Sequence, residues 1–227
     1  MIVLVHSGIC DARMWDGFEL PGAVRHELSG FGQTPMPPAG EFSWADELAA
    51  TLTEPAVLVG ASYGGKVCLE LASTHRELVS ALVLLDAALP DHDWSEEIKA
   101  YAEREEVLIE EGEFRAAAEW TADFWLEDGA HRDRVIEMQE RAYHLQAESE
   151  AEEVGAESID LGAVRAPTLV VVGELDKRDF HRIGERLAGE IPGARHAVVE
   201  GAGHLPALER PAETSRLIRE FLQGRRI

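Results

Sequence analysis

Apolar residues fall along this chain in two rhythms. Short unbroken runs occur at 1–5 (MIVLV), 55–59 (PAVLV), 81–85 (ALVLL) and 167–172 (PTLVVV), with weaker ones near 23–28 and 194–199. Apolarity without alternation over so few residues marks a strand buried on both faces. Between these runs the spacing changes to three and four. Val67, Cys68, Leu71 and Ala72 share one helical face, and SWAD at 43–46 reads as a capping box ahead of Leu48, Ala49 and Leu52. Near the end, Pro211 suits a first helical turn, with Leu217, Ile218 and Phe221 on one side. Strand followed by helix, repeated, predicts an α/β fold: a mostly parallel sheet with helices on both faces.

The stretch from about Asp91 to Asp160 breaks the rhythm. It has no strand-like run and carries three amphipathic helical patterns, among them Phe114, Ala117, Ala118, Thr121 and Trp125, then Val135, Met138, Ala142 and Leu145. It also holds 23 acidic against 6 basic residues, so −17 of the chain's formal −22 lies here. The pattern predicts a helical insertion over 91–159 with an acidic outer face, between core segments 1–90 and 160–227. A solvated surface is the simplest reading of that charge, and steering of cationic ligands the sharper one.

Composition narrows the range of functions. With 227 residues, 45% hydrophobic and 28% charged, the chain fits one large domain or a core with an inserted subdomain. A charge of −22 repels phosphate backbones and anionic lipid, so neither nucleic acid nor a membrane surface is an expected partner. Cys10 and Cys68 are too few for a disulfide scaffold and suit free thiols in a reducing compartment. No basic segment followed by a long apolar stretch opens the sequence, so neither signal peptide nor membrane span is expected, and the expected location is cytoplasmic. A homodimer is compatible with all of this.

The candidate chemistry centres on residues 60–65, GASYGG, where a buried strand hands over to a helix. In a strand-turn-helix reading G-x-S-x-G, the serine takes a strained backbone position that pushes its oxygen out at the sheet's carboxyl edge. Gly60 and Gly64 flank Ser62 at that spacing, and backbone N–H groups at the helix start point toward whatever bonds to the oxygen. A serine hydroxyl needs a base near neutral pH, and histidine titrates in the right range. Of nine histidines, His204 stands out, in the glycine-rich GAGHLPALERP between the strand-like ARHAVV and the last helix. His75, His92, His131, His144, His181 and His196 lie in helical, acidic or strand contexts that suit structural or surface roles.

The base in turn needs a carboxylate to hold its tautomer. Asp176, in GELD directly after PTLVVV, is the leading candidate; Asp86, at the end of ALVLLD, competes from an equivalent place, and Asp179 comes third. Attack on a carbonyl also needs donors for the oxyanion. One is the backbone N–H of Tyr63. The second belongs to HSGICDARMW, where Gly8 allows close approach, with the Ser7 hydroxyl as an auxiliary and His6 as the organiser of the loop.

HSGICDARMWD, ELSGFGQTP, GASYGG, GELD and GAGHLPALERP, in this order, resemble the α/β-hydrolase superfamily, most closely its 3-oxoadipate enol-lactonase-like and small carboxylesterase-like members. The resemblance covers roughly 1–90 and 160–227, with the insertion where the superfamily places its helical cap. It implies Ser62 as nucleophile, Asp176 as acid and His204 as base, with the Gly8 and Tyr63 N–H groups as oxyanion hole. Two departures stand out. Many members have a hairpin before the first parallel strand, and the oxyanion loop reads HSG where many have HG followed by a larger residue.

The expected substrate is a small ester or lactone, with no cofactor. Trp94, Trp120, Phe124, Trp125 and Tyr143 crowd the insertion, and with Trp15 they are candidates to line an apolar pocket above Ser62, although packing within the insertion explains most of them equally. No Arg or Lys cluster near the motifs suits a multiply anionic substrate, which counts against an enol-lactone bearing carboxylates. The same triad can also serve C–C bond hydrolysis, perhydrolysis or cyanohydrin cleavage, and a non-catalytic ligand-binding member is the third class. No metal is expected, since H-E-x-x-H and convincing His or Cys pairs are missing. Gly30 and Gly32 in SGFGQT lack the rest of a dinucleotide fingerprint.

Overall fold

Each apolar run becomes a strand. The computed structural model describes residues 1–126 and 129–223. It begins with β1 (Ile2–Val5), β2 (Ala23–His26), β3 (Gly40–Phe42), α1 (Trp44–Thr51), β4 (Ala56–Ala61), α2 (Tyr63–Thr74) and β5 (Val79–Leu85). Three helices follow, α3 (Glu96–Glu110), α4 (Phe114–Trp125) and α5 (Arg132–Ala147), then β6 (Ala151–Glu153). The chain closes with β7 (Thr168–Gly173), α6 (Arg178–Glu190), β8 (Arg195–Val199), α7 (Pro206–Glu209) and α8 (Pro211–Leu222). Ser43 caps α1 by accepting the Asp46 N–H, as the SWAD pattern predicts.

Six strands form one all-parallel sheet in the order β2-β1-β4-β5-β7-β8. Its central strands are unbroken in apolarity because alternate side chains enter two different layers. Ala56 and Leu58 of β4 join Leu48, Val67, Leu71, Ile183 and Leu187 on one face. Val57, Val59 and Ala61 join Met14, Trp15, Ile218 and Phe221 on the other. Each fully buried aliphatic side chain here contributes about 2 kcal/mol of transfer free energy. Strand order reverses at the β1/β4 boundary, which opens a crevice at the carboxyl ends of the strands.

The segments Glu96–Glu110, Phe114–Trp125 and Arg132–Ala147 are helical, as the amphipathic patterns predict, and α4 packs against both α3 and α5. One strand falls where none is expected. Ala151–Glu153 pairs in parallel with Gly40–Phe42, forming a separate two-stranded ribbon. Its sequence, AEE, has neither β-branched nor aromatic residues, so the pairing is set by tertiary context rather than propensity. No helix among the described residues is long and apolar enough to cross a membrane.

Candidate active site

The carboxyl end of β4 delivers Ser62 in a conformation that L-residues rarely adopt, φ 50° and ψ −115°. Three hydrogen bonds hold it there. The Ser62 N–H donates to the Leu85 carbonyl at 2.8 Å, and its own carbonyl accepts from Ala88 at 3.0 Å and Lys66 at 3.1 Å. The flanking glycines are steric requirements. A Cβ on Gly60 would lie 2.4 Å from the Gly64 carbonyl oxygen, and one on Gly64 would lie 2.2 Å from that of His6. Strand and helix therefore cross closely enough to thrust the hydroxyl outward.

Parallel register brings the remaining groups to the same edge. Leu85 lies opposite Val171, and Gly173 opposite Val199, so the segments after β5, β7 and β8 emerge side by side. His204 Nε2 sits 2.9 Å from Ser62 Oγ, and His204 Nδ1 sits 2.9 Å from Asp176 Oδ2. An acceptor on the Nδ1 side leaves Nε2 free to accept from the serine, the tautomer a base requires. All three residues are buried. The His204 ring lies between Trp125 and Phe180, each 4.3 Å away between centroids. Its loop is tied down by Glu209, whose carboxylate accepts the Gly203 and Leu205 N–H groups, each at 2.9 Å.

The two competing aspartates are neighbours. Asp86 is buried with φ 42°, and its Oδ1 accepts the Gly173 N–H at 2.9 Å. Burial and then the charge of Asp176 push its carboxyl well above the usual range, so it is the neutral member. Burial also raises Asp176, but the His204 charge and hydrogen bond, the Asp86 proton and the Lys177 N–H outweigh it, and its carboxyl lies below the usual range. Asp176 is thus the ionised partner of His204. Asp179 is engaged elsewhere, accepting from Ser95 N–H and lying 3.0 Å from His92 Nε2.

A cavity of about 370 Å³ opens above Ser62. Gly8 and Tyr63 lie side by side at its floor; a Cβ on Gly8 would meet the Tyr63 Cβ at 3.1 Å. Among the described residues neither N–H donates to a protein acceptor. His6 braces this loop, with Nδ1 toward the Ser7 carbonyl at 2.9 Å and Nε2 accepting the Leu28 N–H at 3.0 Å. Burial lowers its pKa, which suits a neutral brace. The Ser7 hydroxyl is buried, accepts the Ile9 N–H and does not line the cavity.

Of the six aromatic candidates for the pocket, Trp125 and Tyr143 line the cavity. Trp15 is a core residue with no exposure, packed edge-on against Phe18. Trp94 fills the space between His92 and Phe180. Trp120 stacks on Tyr101 from outside, its Nε1–H bonded to the Tyr101 carbonyl, and Phe124 stacks on the same ring beneath the Lys177 ammonium. Packing on neighbouring side chains takes these four rings. The other cavity walls come from Ile9, Tyr101, Glu105, Ile109, Gln139 and Gln146, none of which their local sequence singles out. No three His, Cys, Asp or Glu side chains among the described residues cluster as a metal site.

Comparison with known proteins identifies the family. The model of the alpha/beta hydrolase family matches residues 2–217. A pimeloyl-[acyl-carrier protein] methyl ester esterase of Neisseria meningitidis serogroup B is 30% identical over 98% of this chain and 93% of its own. A thermophilic esterase from Thermogutta terrifontis superposes with a TM-score of 0.74 at 25% identity, covering 98% of this chain and 89% of that one. A solved enzyme described as degrading N-acyl homoserine lactone gives 0.76 at 25% identity, over 97% and 92%.

Proposed function

This chain belongs to the alpha/beta hydrolase family, and on that premise we propose that it hydrolyses a carboxylic ester or lactone through an acyl-enzyme on Ser62. The observation that carries the proposal is the buried relay Ser62–His204–Asp176, with both links at 2.9 Å. As Ser62 Oγ attacks the carbonyl carbon, His204 Nε2 takes its proton and Asp176 stabilises the imidazolium. The carbonyl π pair moves onto oxygen, where the N–H groups of Gly8 and Tyr63 receive it.

Collapse of this tetrahedral species breaks the C–O bond, and the leaving alkoxide takes the proton from Nε2. In a lactone the leaving oxygen stays tethered to the acyl chain. Water then repeats the sequence: Nε2 takes its proton, hydroxide adds to the acyl carbon, and Ser62 Oγ leaves reprotonated. The relatives support this class of carbonyl, one being named for a methyl ester and another for a lactone.

A chain-length series of p-nitrophenyl esters, run on wild type and Ser62→Ala, tests the reading. The expected result is wild-type turnover and a kcat lower by at least about a thousandfold in the variant. Folded wild type that turns over none of them contradicts it and favours a ligand-binding role.

A further inference from the structure

The cavity above Ser62 has one wall that nothing in the relay requires. Glu105 Oε1 accepts from the hydroxyls of Tyr101 at 2.6 Å, Thr121 at 2.8 Å and Tyr143. Three donors therefore converge on one oxygen. Its second oxygen, Oε2, takes no hydrogen bond from the described residues. Burial first, then the Glu105 charge, pushes both phenols up, so they remain protonated donors to it.

Beside this cluster lies Gln139, only 5% exposed and lining the same cavity. Tyr143 commits its proton to Glu105, so the Gln139 amide turns its N–H toward the Tyr143 oxygen. The Gln139 carbonyl oxygen is left buried with no partner. An unpartnered buried acceptor is costly, and a site that bears one discriminates strongly for a ligand supplying the missing donor. No Lys or Arg lines the cavity.

We propose that Gln139 and Glu105 are specificity-determining residues that read a hydrogen-bond donor on the substrate, a hydroxyl or amide N–H remote from the reacting carbonyl, and disfavour a carboxylate there. The inference rests on the serine-hydrolase reading of Ser62 only for what happens to the ligand once bound. A neutral and an anionic acceptor among the residues lining the cavity complement a donor, and a carboxylate would meet Glu105 with no cation to offset it. Ile9, Ile109 and Trp125 cover the rest of the chain.

Equilibrium binding to Ser62→Ala separates this from the chemistry. The ligands are methyl esters of medium-length acyl chains ending in methyl, hydroxyl or carboxylate, and acetate esters of alcohols with the same three ends, followed by NMR titration. In at least one series the hydroxyl ester is expected to bind about tenfold tighter than the alkyl ester, and the carboxylate about tenfold weaker. Gln139→Leu in the same background is expected to bring the hydroxyl preference within about threefold, and Glu105→Gln to relieve the carboxylate penalty. A carboxylate bound as tightly as the hydroxyl, or no hydroxyl preference in either series, overturns the proposal. Wild-type turnover of the same esters reports separately on Ser62: the binding order without turnover contradicts only the hydrolase reading, and turnover without the order contradicts only this one.

Discussion

Asp86 and Asp176 face each other at the ends of adjacent strands, one neutral and one ionised. The Oδ2 of Asp86 is buried with no hydrogen-bond partner among the described residues, and burial together with the neighbouring charge of Asp176 favours its protonated form. Two carboxylates so close in a low-dielectric site cannot both ionise readily, and His204 decides which one does.

Asp86→Asn should therefore be tolerated, with kcat within about threefold of wild type, because the amide keeps a neutral donor in place. Its stability carries a sign. The native carboxyl is raised above its unfolded value of 3.8, so native protein keeps a proton that the unfolded chain releases, and wild type loses stability as pH rises above that value. Asn removes the loss. Urea unfolding from about pH 5 to about pH 8 should show the variant gaining on wild type as pH rises; a constant gap would show Asp86 ionised in the folded state.

Asp176→Asn should behave in the opposite way. The substitution keeps the shape of the side chain but loses the charge that stabilises the imidazolium and the preference for the productive tautomer. Steady-state kinetics should show kcat down by roughly 10³ to 10⁴, with thermal unfolding still cooperative. A loss under about tenfold would move the acid role elsewhere.

Gly64→Ala tests the crossing behind Ser62. The added Cβ would meet the His6 carbonyl oxygen at 2.2 Å, and that oxygen belongs to backbone and cannot swing aside. Chemical denaturation should register a loss of about 3 kcal/mol or more. Gly17→Ala, where φ is +82° but no atom lies within 4 Å, should cost only about 1 kcal/mol.

The two tryptophans once equally eligible for the pocket should separate cleanly. Trp125→Phe alters the wall against which His204 rests and should raise KM several-fold. Trp15→Phe leaves a gap in a core with no exposure and should cost about 1–3 kcal/mol with KM unchanged. Equal effects on KM would place Trp15 nearer the ligand than its packing on Phe18 allows.

How much of this was legible in the chain follows from how local each signal is. The unbroken apolarity of β4, β5 and β7 reports burial on both faces of a sheet, and Gly60-Ala-Ser62-Tyr-Gly64 encodes its own backbone geometry, so both could be read directly. His204 and Asp176 could be placed because a residue just past a parallel strand must lie at the carboxyl edge.

The neutral state of Asp86 was not legible, since it depends on the β5–β7 register that sets it beside Asp176. Nor was the role of Glu105 and Gln139. On amphipathic helices a polar residue facing a cavity and one facing solvent follow the same spacing, and only the packing of α3, α4 and α5 tells them apart. The aromatic rings misled for the related reason that burial between helices and exposure to a pocket both favour Trp and Phe.

The most direct test of the central claim is intact-protein mass spectrometry after treatment with a fluorophosphonate, followed by peptide mapping. An activated serine between His204 and an oxyanion hole should gain a single adduct, mapped to Ser62, that disappears in Ser62→Ala and slows sharply in His204→Ala. Folded wild type that gains no adduct, or gains one elsewhere, would contradict the assignment of Ser62 as the nucleophile.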